Sequence, residues 1–260
     1  MPDEPFFRLT DQGYEPTPIC RGPWGPTTLH GRVVAGLLAR EAEQTWGVNG
    51  MRVGRLTVDL YRMPVFEPVH VSSTLVRETR RIKVVDAEFV NGGKPAGRAS
   101  AVFLKESENP EGDVWGPPPW EVPNPESLPA PALPAGRGDW KPMWDMRTIE
   151  GGFDSYGPKR CWIREVRPLV EGEELTPLQR VALAADLASP LTNSGSKGLH
   201  YLNTDITLYL HRYPATEWIG FETAGHHAAD GIAIAACNLY DEEGAIGRST
   251  VAAIANRRQG

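Results

Sequence analysis

Residues 56–64 read LTVDLYRMP, and residues 206–214 read ITLYLHRYP. When the numbering is shifted by 150, the two stretches align without a gap and share Thr, Leu, Arg and Pro at the same positions. The alignment continues to GRASAVFL at residues 97–104, which falls on GRSTVAAI at residues 247–254. Because chance rarely keeps one register over a segment of this length, we interpret the chain as two copies of one unit fused head to tail.

The first copy combines one helical pattern with several strand patterns. In TTLHGRVVAGLLAREAEQTW, residues 27–46, apolar side chains recur at helical spacing, and Thr27 or Thr28 can cap the helix. Gly36 lies inside this helix, where a glycine often allows another backbone to come close, here a sheet or a ligand. Residues 52–105 then alternate apolar and polar side chains, as half-buried strands do.

The second copy repeats this order. The segment LTPLQRVALAADLAS, residues 175–189, predicts a helix that Thr176 caps and that Pro177 begins. Strand patterns follow, starting with NTDITLYLHR at residues 203–212. We therefore expect an α+β fold in which each copy supplies one long helix and an antiparallel sheet.

The segment between the copies has a different composition. Ten prolines lie between Pro110 and Pro142, and proline lacks the N–H that an interior strand needs. The same segment contains tryptophans, which a disordered linker rarely has. We expect a connector that lies ordered across the body, anchored by Trp115, Trp120, Trp140 and Trp144. The predicted boundaries are residues 1–105 for the N-terminal repeat, 106–160 for the connector and 161–260 for the C-terminal repeat.

Composition argues against several classes of function. The net charge of -6 gives no basic face for nucleic acid, and no apolar run reaches the roughly 20 residues of a membrane span. The beginning of the chain lacks the basic and then apolar order of a signal peptide. The scattered Cys20, Cys161 and Cys237 predict neither a disulfide framework nor a zinc site, so we expect a reducing cytoplasm. No P-loop, Gly-x-Ser-x-Gly elbow or dinucleotide fingerprint occurs in the sequence.

Four segments resemble one known family. They are LHGRVVAGLL (29–38), ALAADLAS (182–189), NTDITLYLHRYP (203–214) and DEEGAIGRS (241–249). In this order and spacing they resemble the double-hotdog acyl-CoA thioesterases of the thioesterase II type. The resemblance implies a tandem hotdog, in which each half is a long helix wrapped by a curved antiparallel sheet. It also implies hydrolysis of an acyl-CoA to CoA and a carboxylic acid, using water and no metal or redox cofactor. An acyl-carrier thioester is the other substrate that this resemblance allows.

Asp186 is the residue that the resemblance makes catalytic, because the family uses an aspartate on the second helix to orient the attacking water. It is the only charged residue between Val181 and Pro190, and a carboxylate on an apolar helical face costs free energy unless it is paired. Such carboxylates are often functional. The alternative is a helix residue on the solvent side, or a cap for a neighbouring turn. In the first copy the equivalent position falls at Leu38 or a neighbour, so only one half would hold the acid.

Two other positions of the family's water site differ in this sequence. The resemblance puts Asn203 at the Thr or Ser position of the next strand, with Thr204 beside it. Asn can hydrogen-bond a water but cannot relay a proton through a hydroxyl. The alternative for Asn203 is a residue that completes a turn at the start of the strand. Where the family has Gln on the last strand, this chain has Ala252 between Val251 and Ala253.

His30 and Gly31 mark the start of the first helix, where the resemblance places binding of the thioester carbonyl. Free N–H groups at a helix N-terminus suit a developing oxyanion, so Gly31 is a candidate donor to the substrate. Arg32 replaces the last Gly of the family's His-Gly-Gly. A packing glycine is the alternative. The adjacent His226 and His227 predict no metal site, because neighbours on a strand point to opposite faces.

Other functions stay open. Ala252 favours a protein that binds acyl thioesters with weak or no turnover. A hydratase or dehydratase also occurs on hotdog folds, but it would need a His with an Asp on the segment over the helix, and the sequence shows no such pattern. A purely structural role would leave Asp186 unexplained. Because hotdog sheets have exposed edges, we expect two chains to associate as a homodimer.

Overall fold

A computed structural model describes residues 4–25, 27–130 and 142–256 of the chain. The helices are α1 (Gly31–Trp46), α2 (Pro177–Ala185) and α3 (Ala188–Asn193), with short 3-10 helices at Pro18–Cys20 and Pro125–Ser127. The strands before the connector are β1 (Phe7–Thr10), β2 (Gly13–Pro16), β3 (Met51–Leu60), β4 (Val69–Glu78), β5 (Ile82–Asn91) and β6 (Lys94–Lys105). The later strands are β7 (Trp144–Glu150), β8 (Arg160–Glu165), β9 (Ser194–Gly195), β10 (Gly198–Leu199), β11 (Tyr201–Asn203), β12 (Asp205–Leu210), β13 (Trp218–Ala229), β14 (Ile232–Asp241) and β15 (Gly244–Ala255).

One large antiparallel sheet organises the described residues. Its order is β1-β2-β4-β5-β6-β3-β12-β15-β14-β13-β8-β7, with β11 beside β15, and β9 and β10 form a separate hairpin. Strands β3 and β12 join the two halves, with Thr57 opposite Thr207. Helix α1 packs against β3 to β6 and against α2, so its apolar face is buried between the sheet and the second half. The predicted combination of a large antiparallel sheet with a long helix is confirmed.

Equivalent strands of the two halves are spaced by the same interval in the numbering. The bounds of β5 and β6 differ from those of β14 and β15 by 150 residues at both ends. The register also repeats, with Ile82 opposite Leu104 in the first half and Ile232 opposite Ile254 in the second. In the sheet, the order β4-β5-β6-β3 is followed by its mirror, β12-β15-β14-β13. The alignment seen in the sequence therefore coincides with corresponding strands.

The start of α1 differs from the prediction, whereas the start of α2 agrees with it. His30 caps α1, with an extended backbone at φ -74° and ψ 139°, so the predicted cap at Thr27 or Thr28 is wrong. Thr28 instead forms an isolated antiparallel bridge with Val65, two residues before the cap. Thr176 caps α2 as predicted.

The helix predicted for the second half is broken. Helix α2 ends at Ala185 and α3 begins at Ala188, so this half contains two short helices and the expectation of a long one is wrong. Pro190 supplies a reason, because it has no N–H to donate to the carbonyl of Asp186 in the preceding turn. That carbonyl accepts from the N–H of Ser189 instead, in a tighter bond of the 3-10 type. The break places Asp186 at the end of α2.

Gly36 lies where α1 packs against α2. A Cβ on Gly36 would lie 2.7 Å from Cδ2 of Leu183 and 3.3 Å from Cδ1 of Leu169. The close neighbours of this glycine are therefore leucine side chains, and not the backbone or ligand that the sequence suggested. Under the shift of 150, Asp186 corresponds to Gly36, so the equivalence with Leu38 that the sequence suggested is wrong. The first half has no room for a carboxylate at that place.

Replacing Gly36 with Ala should lower the free energy of unfolding by about 1–2 kcal/mol, because the added methyl group overpacks a buried contact. The gain in helix propensity, up to about 1 kcal/mol, offsets only part of this cost. Urea denaturation measures the difference. Gln44→Ala, on the exposed side of the same helix, is the matched control and should stay within about 0.5 kcal/mol of the wild type. A Gly36→Ala variant as stable as the wild type would show that Leu183 moves aside at no cost.

The connector packs on the body through some of its tryptophans. Trp120 stacks on Tyr240, with ring centroids 4.1 Å apart. Trp144 begins β7, which pairs with β8 at the end of the sheet. Trp115 is 88% exposed, so its predicted role as an anchor is wrong. Trp140 lies outside the described residues.

Candidate active site

Asp186 lies at the end of α2 and faces the start of α1. Its side chain is buried, with 9% exposed. One carboxylate oxygen, Oδ1, accepts a hydrogen bond from Asn203 Nδ2 at 3.1 Å. The other, Oδ2, lies 3.2 Å from Nδ1 of His30. The structure thus brings together three of the residues that the sequence singled out.

The first turn of α1 faces the same carboxylate. A Cβ on Gly31 would lie 3.3 Å from both oxygens of Asp186, so a glycine keeps this contact open. Within the described residues, the Gly31 amide has no hydrogen-bond acceptor. Because unpaired N–H groups at a helix N-terminus carry partial positive charge, this end of α1 can hold a carboxylate or an oxyanion.

The surroundings of Asp186 keep it ionised. Burial alone would raise the pKa of this carboxyl. Hydrogen bonds and charge from His30, the hydrogen bond from Asn203 and the charge of Arg32 outweigh burial, so the pKa lies below its ordinary value. A carboxylate with a lowered pKa binds protons weakly at neutral pH.

Arg32 is a buried charge beside this cluster, and in the sequence it stands out only as a replacement for a glycine. Its guanidinium forms an ion pair with Glu165, and both side chains are 1% exposed. The guanidinium also lies over the ring of Trp144, 4.3 Å from the centroid. Burial lowers the pKa of Arg32, and the carboxylate of Asp186 opposes that effect. The signal in the sequence was one charge directly before the apolar run VVAGLLA.

Two cavities meet at the Asp186 cluster, one of about 350 Å³ and one of about 520 Å³. Both are lined by Trp24, His30, Asp186 and Asn203. The smaller cavity adds the apolar side chains of Leu29, Leu60, Met63, Leu202 and Ile254. The larger adds those of Met143, Trp144, Phe153, Leu187 and Leu199. A molecule that extends from one cavity into the other would pass Asp186. No local pattern connects Trp24 or Trp144 with the site, because their positions arise only from the fold.

A larger cavity, of about 790 Å³, lies beside His226 and contains none of the Asp186 cluster. The Nδ1 atom of His226 lies 3.0 Å from Oδ1 of Asn193. In the part of the chain that the structure describes, no group of three or more His, Cys, Asp or Glu could hold a metal ion. We place the candidate site at Asp186, where an ionised carboxylate, a helix N-terminus and two cavities coincide.

Thr204 and Ala252 lie next to each other at the edge of the site. The Thr204 hydroxyl donates to the carbonyl of Ala252 at 3.3 Å, and the Thr204 N–H donates to the same carbonyl at 2.9 Å. Thr204 lines the smaller cavity but does not hydrogen-bond Asp186. Asn203 pairs across the sheet with Ala253, so small side chains stand where the resemblance leads one to expect a glutamine amide.

Comparison with known proteins identifies both parts of the chain. The sequence profile of the acyl-CoA thioesterase C-terminal domain matches residues 121–254, and that of the acyl-CoA thioesterase N-terminal domain matches residues 20–104. No curated protein matches the chain at a significant level.

Three solved structures are similar to the chain in fold. A conserved protein with a hot dog fold from Alicyclobacillus acidocaldarius has a TM-score of 0.71 at 17% identity, covering 91% of this chain and 90% of its own. A candidate thioesterase from Novosphingobium aromaticivorans has a TM-score of 0.71 at 20% identity, covering 98% of this chain and 100% of its own. The acyl-CoA thioesterase II TesB2 from Mycobacterium marinum has a TM-score of 0.62 at 17% identity, covering 88% of this chain and 91% of its own.

The two kinds of comparison support different statements. Identities this low show the fold alone, which is a hotdog fold. Among the helices of the described residues, none combines the length and the apolar character that crossing a bilayer requires. The two profile matches lie end to end along most of the sequence, in the order of an N-terminal and a C-terminal domain. The chain therefore belongs to the acyl-CoA thioesterase family.

Proposed function

We propose that the protein hydrolyses the thioester of an acyl-CoA and releases CoA and a carboxylic acid. The observation that carries the proposal is the position of Asp186, an ionised carboxylate held by His30 and Asn203 between two cavities. Membership of the acyl-CoA thioesterase family supports the choice of an acyl thioester as the substrate.

In this proposal the substrate lies across both cavities. The acyl chain occupies the smaller cavity, because its largely apolar lining favours a hydrocarbon chain. The thiol arm leaves through the larger cavity. The carbonyl oxygen of the thioester then lies at the start of α1, where the N–H of Gly31 donates to it. A donor fixed in advance at this place stabilises the charge that the oxygen acquires during the reaction.

Hydrolysis requires a water beside the carbonyl carbon. Asp186 orients this water, the free side-chain oxygen of Asn203 helps to hold it, and Thr204 contributes from the rim of the smaller cavity. Attack forms a bond between the water oxygen and the carbonyl carbon, and collapse of the tetrahedral intermediate breaks the bond to sulfur. One proton of the water passes to the thiolate and the other stays with the carboxylic acid, so the step balances without another co-reactant.

We also propose that the chain is a tandem duplicate, with hotdog repeats at residues 1–105 and 161–260 and a connector at 106–160. The 150-residue correspondence in strand bounds and register supports this proposal. Each chain then has one active site, because Gly36 stands where the second half has Asp186.

Strand β7 at one end of the described sheet supports association as a homodimer, which light scattering would measure. Three buried free cysteines fit a reducing cytoplasm.

A protein that binds acyl thioesters without turning them over is the alternative that one observation favours. Ala252 and Ala253 provide no amide to orient a water beside Asn203. A second observation supports a hydratase or dehydratase, because the fold brings His30 next to Asp186, a pair that the sequence did not reveal. Both groups could move protons on an acyl chain as well as on water.

Release of free thiol from a panel of acyl-CoAs, from short to long chains, tests the proposal against both alternatives. Turnover of any chain length supports hydrolysis. Binding of acyl-CoA in calorimetry without thiol release would contradict it and favour the binding protein. A change in the ultraviolet absorbance of an enoyl-CoA without thiol release would favour hydration. Acyl-carrier-protein thioesters in the same assay identify the thiol carrier.

Gly31→Ala should lower kcat by about 10- to 100-fold, because small displacements of a reacting group have effects of this size. The added methyl group would lie 3.3 Å from both oxygens of Asp186 and would push the carboxylate away from its partners. The measurement is kcat at saturating acyl-CoA. Gly25→Ala is the matched control, since its Cβ would make an ordinary contact at 3.7 Å with Thr28. A Gly31→Ala variant with wild-type kcat would contradict the proposed position of the carbonyl.

A further inference from the structure

His30 uses one ring nitrogen in two contacts that exclude each other. Its Nδ1 lies 3.2 Å from Oδ2 of Asp186 and 3.3 Å from the backbone nitrogen of Arg32. If Nδ1 accepted from the Arg32 N–H, its lone pair would face a carboxylate oxygen, and two acceptors repel. If Nδ1 carries a proton, it donates a charge-assisted hydrogen bond to the carboxylate. The carboxylate therefore favours the tautomer with the proton on Nδ1.

This tautomer leaves a lone pair on the other ring nitrogen. In a neutral imidazole with a proton on Nδ1, Nε2 is an acceptor. Across the described ranges of the chain, Nε2 of His30 has no hydrogen-bond partner. The side chain is 16% exposed and lines both cavities, so a water in either of them can reach the ring. A carboxylate that holds one nitrogen of a histidine while the other is free to take a proton is how hydrolases position a histidine base.

Asp186 is poorly suited to take the proton from water. Both of its oxygens are engaged, Oδ1 by Asn203 and Oδ2 by His30. Burial acts to raise its pKa, but these contacts and the charge of Arg32 bring the pKa below the ordinary value. A proton acceptor works best when its pKa is close to the working pH, so a carboxylate of this kind is a weak base there.

We propose that His30 is the general base of the hydrolysis and that Asp186 is a positioning residue that acts through it. The inference rests on the proposed function. Nε2 takes a proton from the water as the water oxygen bonds to the carbonyl carbon, and the carboxylate stabilises the imidazolium that forms. When the bond to sulfur breaks, Nε2 gives the proton to the thiolate, and His30 returns to its neutral form.

The same tautomer supplies a second donor for the substrate. When Nδ1 is a donor, it no longer accepts the hydrogen bond from the N–H of Arg32. This N–H can then donate to the carbonyl oxygen together with the N–H of Gly31. Two amides of one helix turn then hold the oxyanion. The absence of a glutamine amide at Ala252 is compatible with this mechanism, because the histidine both activates and holds the water.

The His30→Asn variant distinguishes a general-base role of His30 from a structural role. The amide nitrogen of Asn can replace Nδ1 as the donor to Asp186, and Asn is a preferred helix cap, but it has no second ring nitrogen. We expect His30→Asn to keep the Tm of the wild type and to lower kcat for acyl-CoA hydrolysis by about 10²-fold or more. Added imidazole should restore part of the rate of His30→Ala, because the cavities give a small base access. His70→Asn, on an exposed strand position, is the control and should keep the wild-type rate.

Three results would overturn the inference, and they can be told apart. A His30→Asn variant within about threefold of the wild type, with Asp186→Asn inactive, would return the base role to Asp186 and leave the proposed hydrolysis intact. A His30→Ala variant whose rate does not respond to imidazole would reduce His30 to a positioning residue. A wild-type protein that releases no thiol from any acyl-CoA would remove the proposed function, and the inference with it.

Discussion

Asp186→Asn should lower kcat for acyl-CoA hydrolysis by roughly 10³-fold or more, in the upper part of the range for acid–base groups. The substitution removes the negative charge at the centre of the site. An amide in this place would also turn an N–H toward either His30 or Asn203, and Asn203 donates to the carboxylate. The loss is expected whether Asp186 activates the water itself or acts through His30, because each mechanism needs the charge.

The control for this variant is Asp113→Asn, which changes an exposed carboxylate in the connector and should leave kcat unchanged. Thermal unfolding and acyl-CoA binding are measured on the same samples. Retained folding and binding with lost turnover assign Asp186 to the chemistry. Full activity in Asp186→Asn would discard the candidate site, while membership of the acyl-CoA thioesterase family would stand.

Local patterns were sufficient to predict most of the strands. The alternation of apolar and polar side chains is a property of neighbouring residues. When the residue numbers are shifted by 150, the pattern of β5 and β6 recurs in β14 and β15. Helix boundaries were predicted less well, because other parts of the chain decide them. Threonine is a residue type that often caps helices, but Thr28 pairs with Val65 and lies outside the helix. Pro190 breaks the second helix pattern at Asp186, and the missing N–H of this proline could have been weighed from the sequence.

The site could be predicted residue by residue but not as an arrangement. A lone charge in an apolar helix drew attention to Asp186, and the glycine at a helix start drew attention to Gly31. The contact of Asp186 with His30 joins the end of α2 to the start of α1, and no local pattern contains it. For the same reason the ion pair of Arg32 with Glu165 was missed, since it forms only when β8 and α1 pack together.

Glu165→Leu should lower the free energy of unfolding by about 3–5 kcal/mol, because removing one partner of a buried ion pair leaves the other charge uncompensated. The guanidinium of Arg32 would then be such a charge, since both side chains are 1% exposed. Urea denaturation followed by tryptophan fluorescence measures the change. Glu171→Leu is the matched control, because Glu171 forms an ion pair with Arg8 at the surface, where the side chains of Arg8 and Glu171 are 49% and 59% exposed. Pairs at the surface contribute only about 0–1 kcal/mol, so this control should change little.

Arg32→Met/Glu165→Leu should recover most of the stability that Glu165→Leu loses. Nη1 of Arg32 and Oε2 of Glu165 have no hydrogen-bond partner within the described residues, so the pair does not fully compensate its own desolvation. Replacing such a pair with packed apolar groups is often neutral or stabilising. Arg32 also lowers the pKa of Asp186 through its charge. A double variant that is stable but releases thiol more slowly would assign the pair to the electrostatics of the site. A double variant as unstable as Glu165→Leu alone would contradict this view, because the pair itself would then hold the core together.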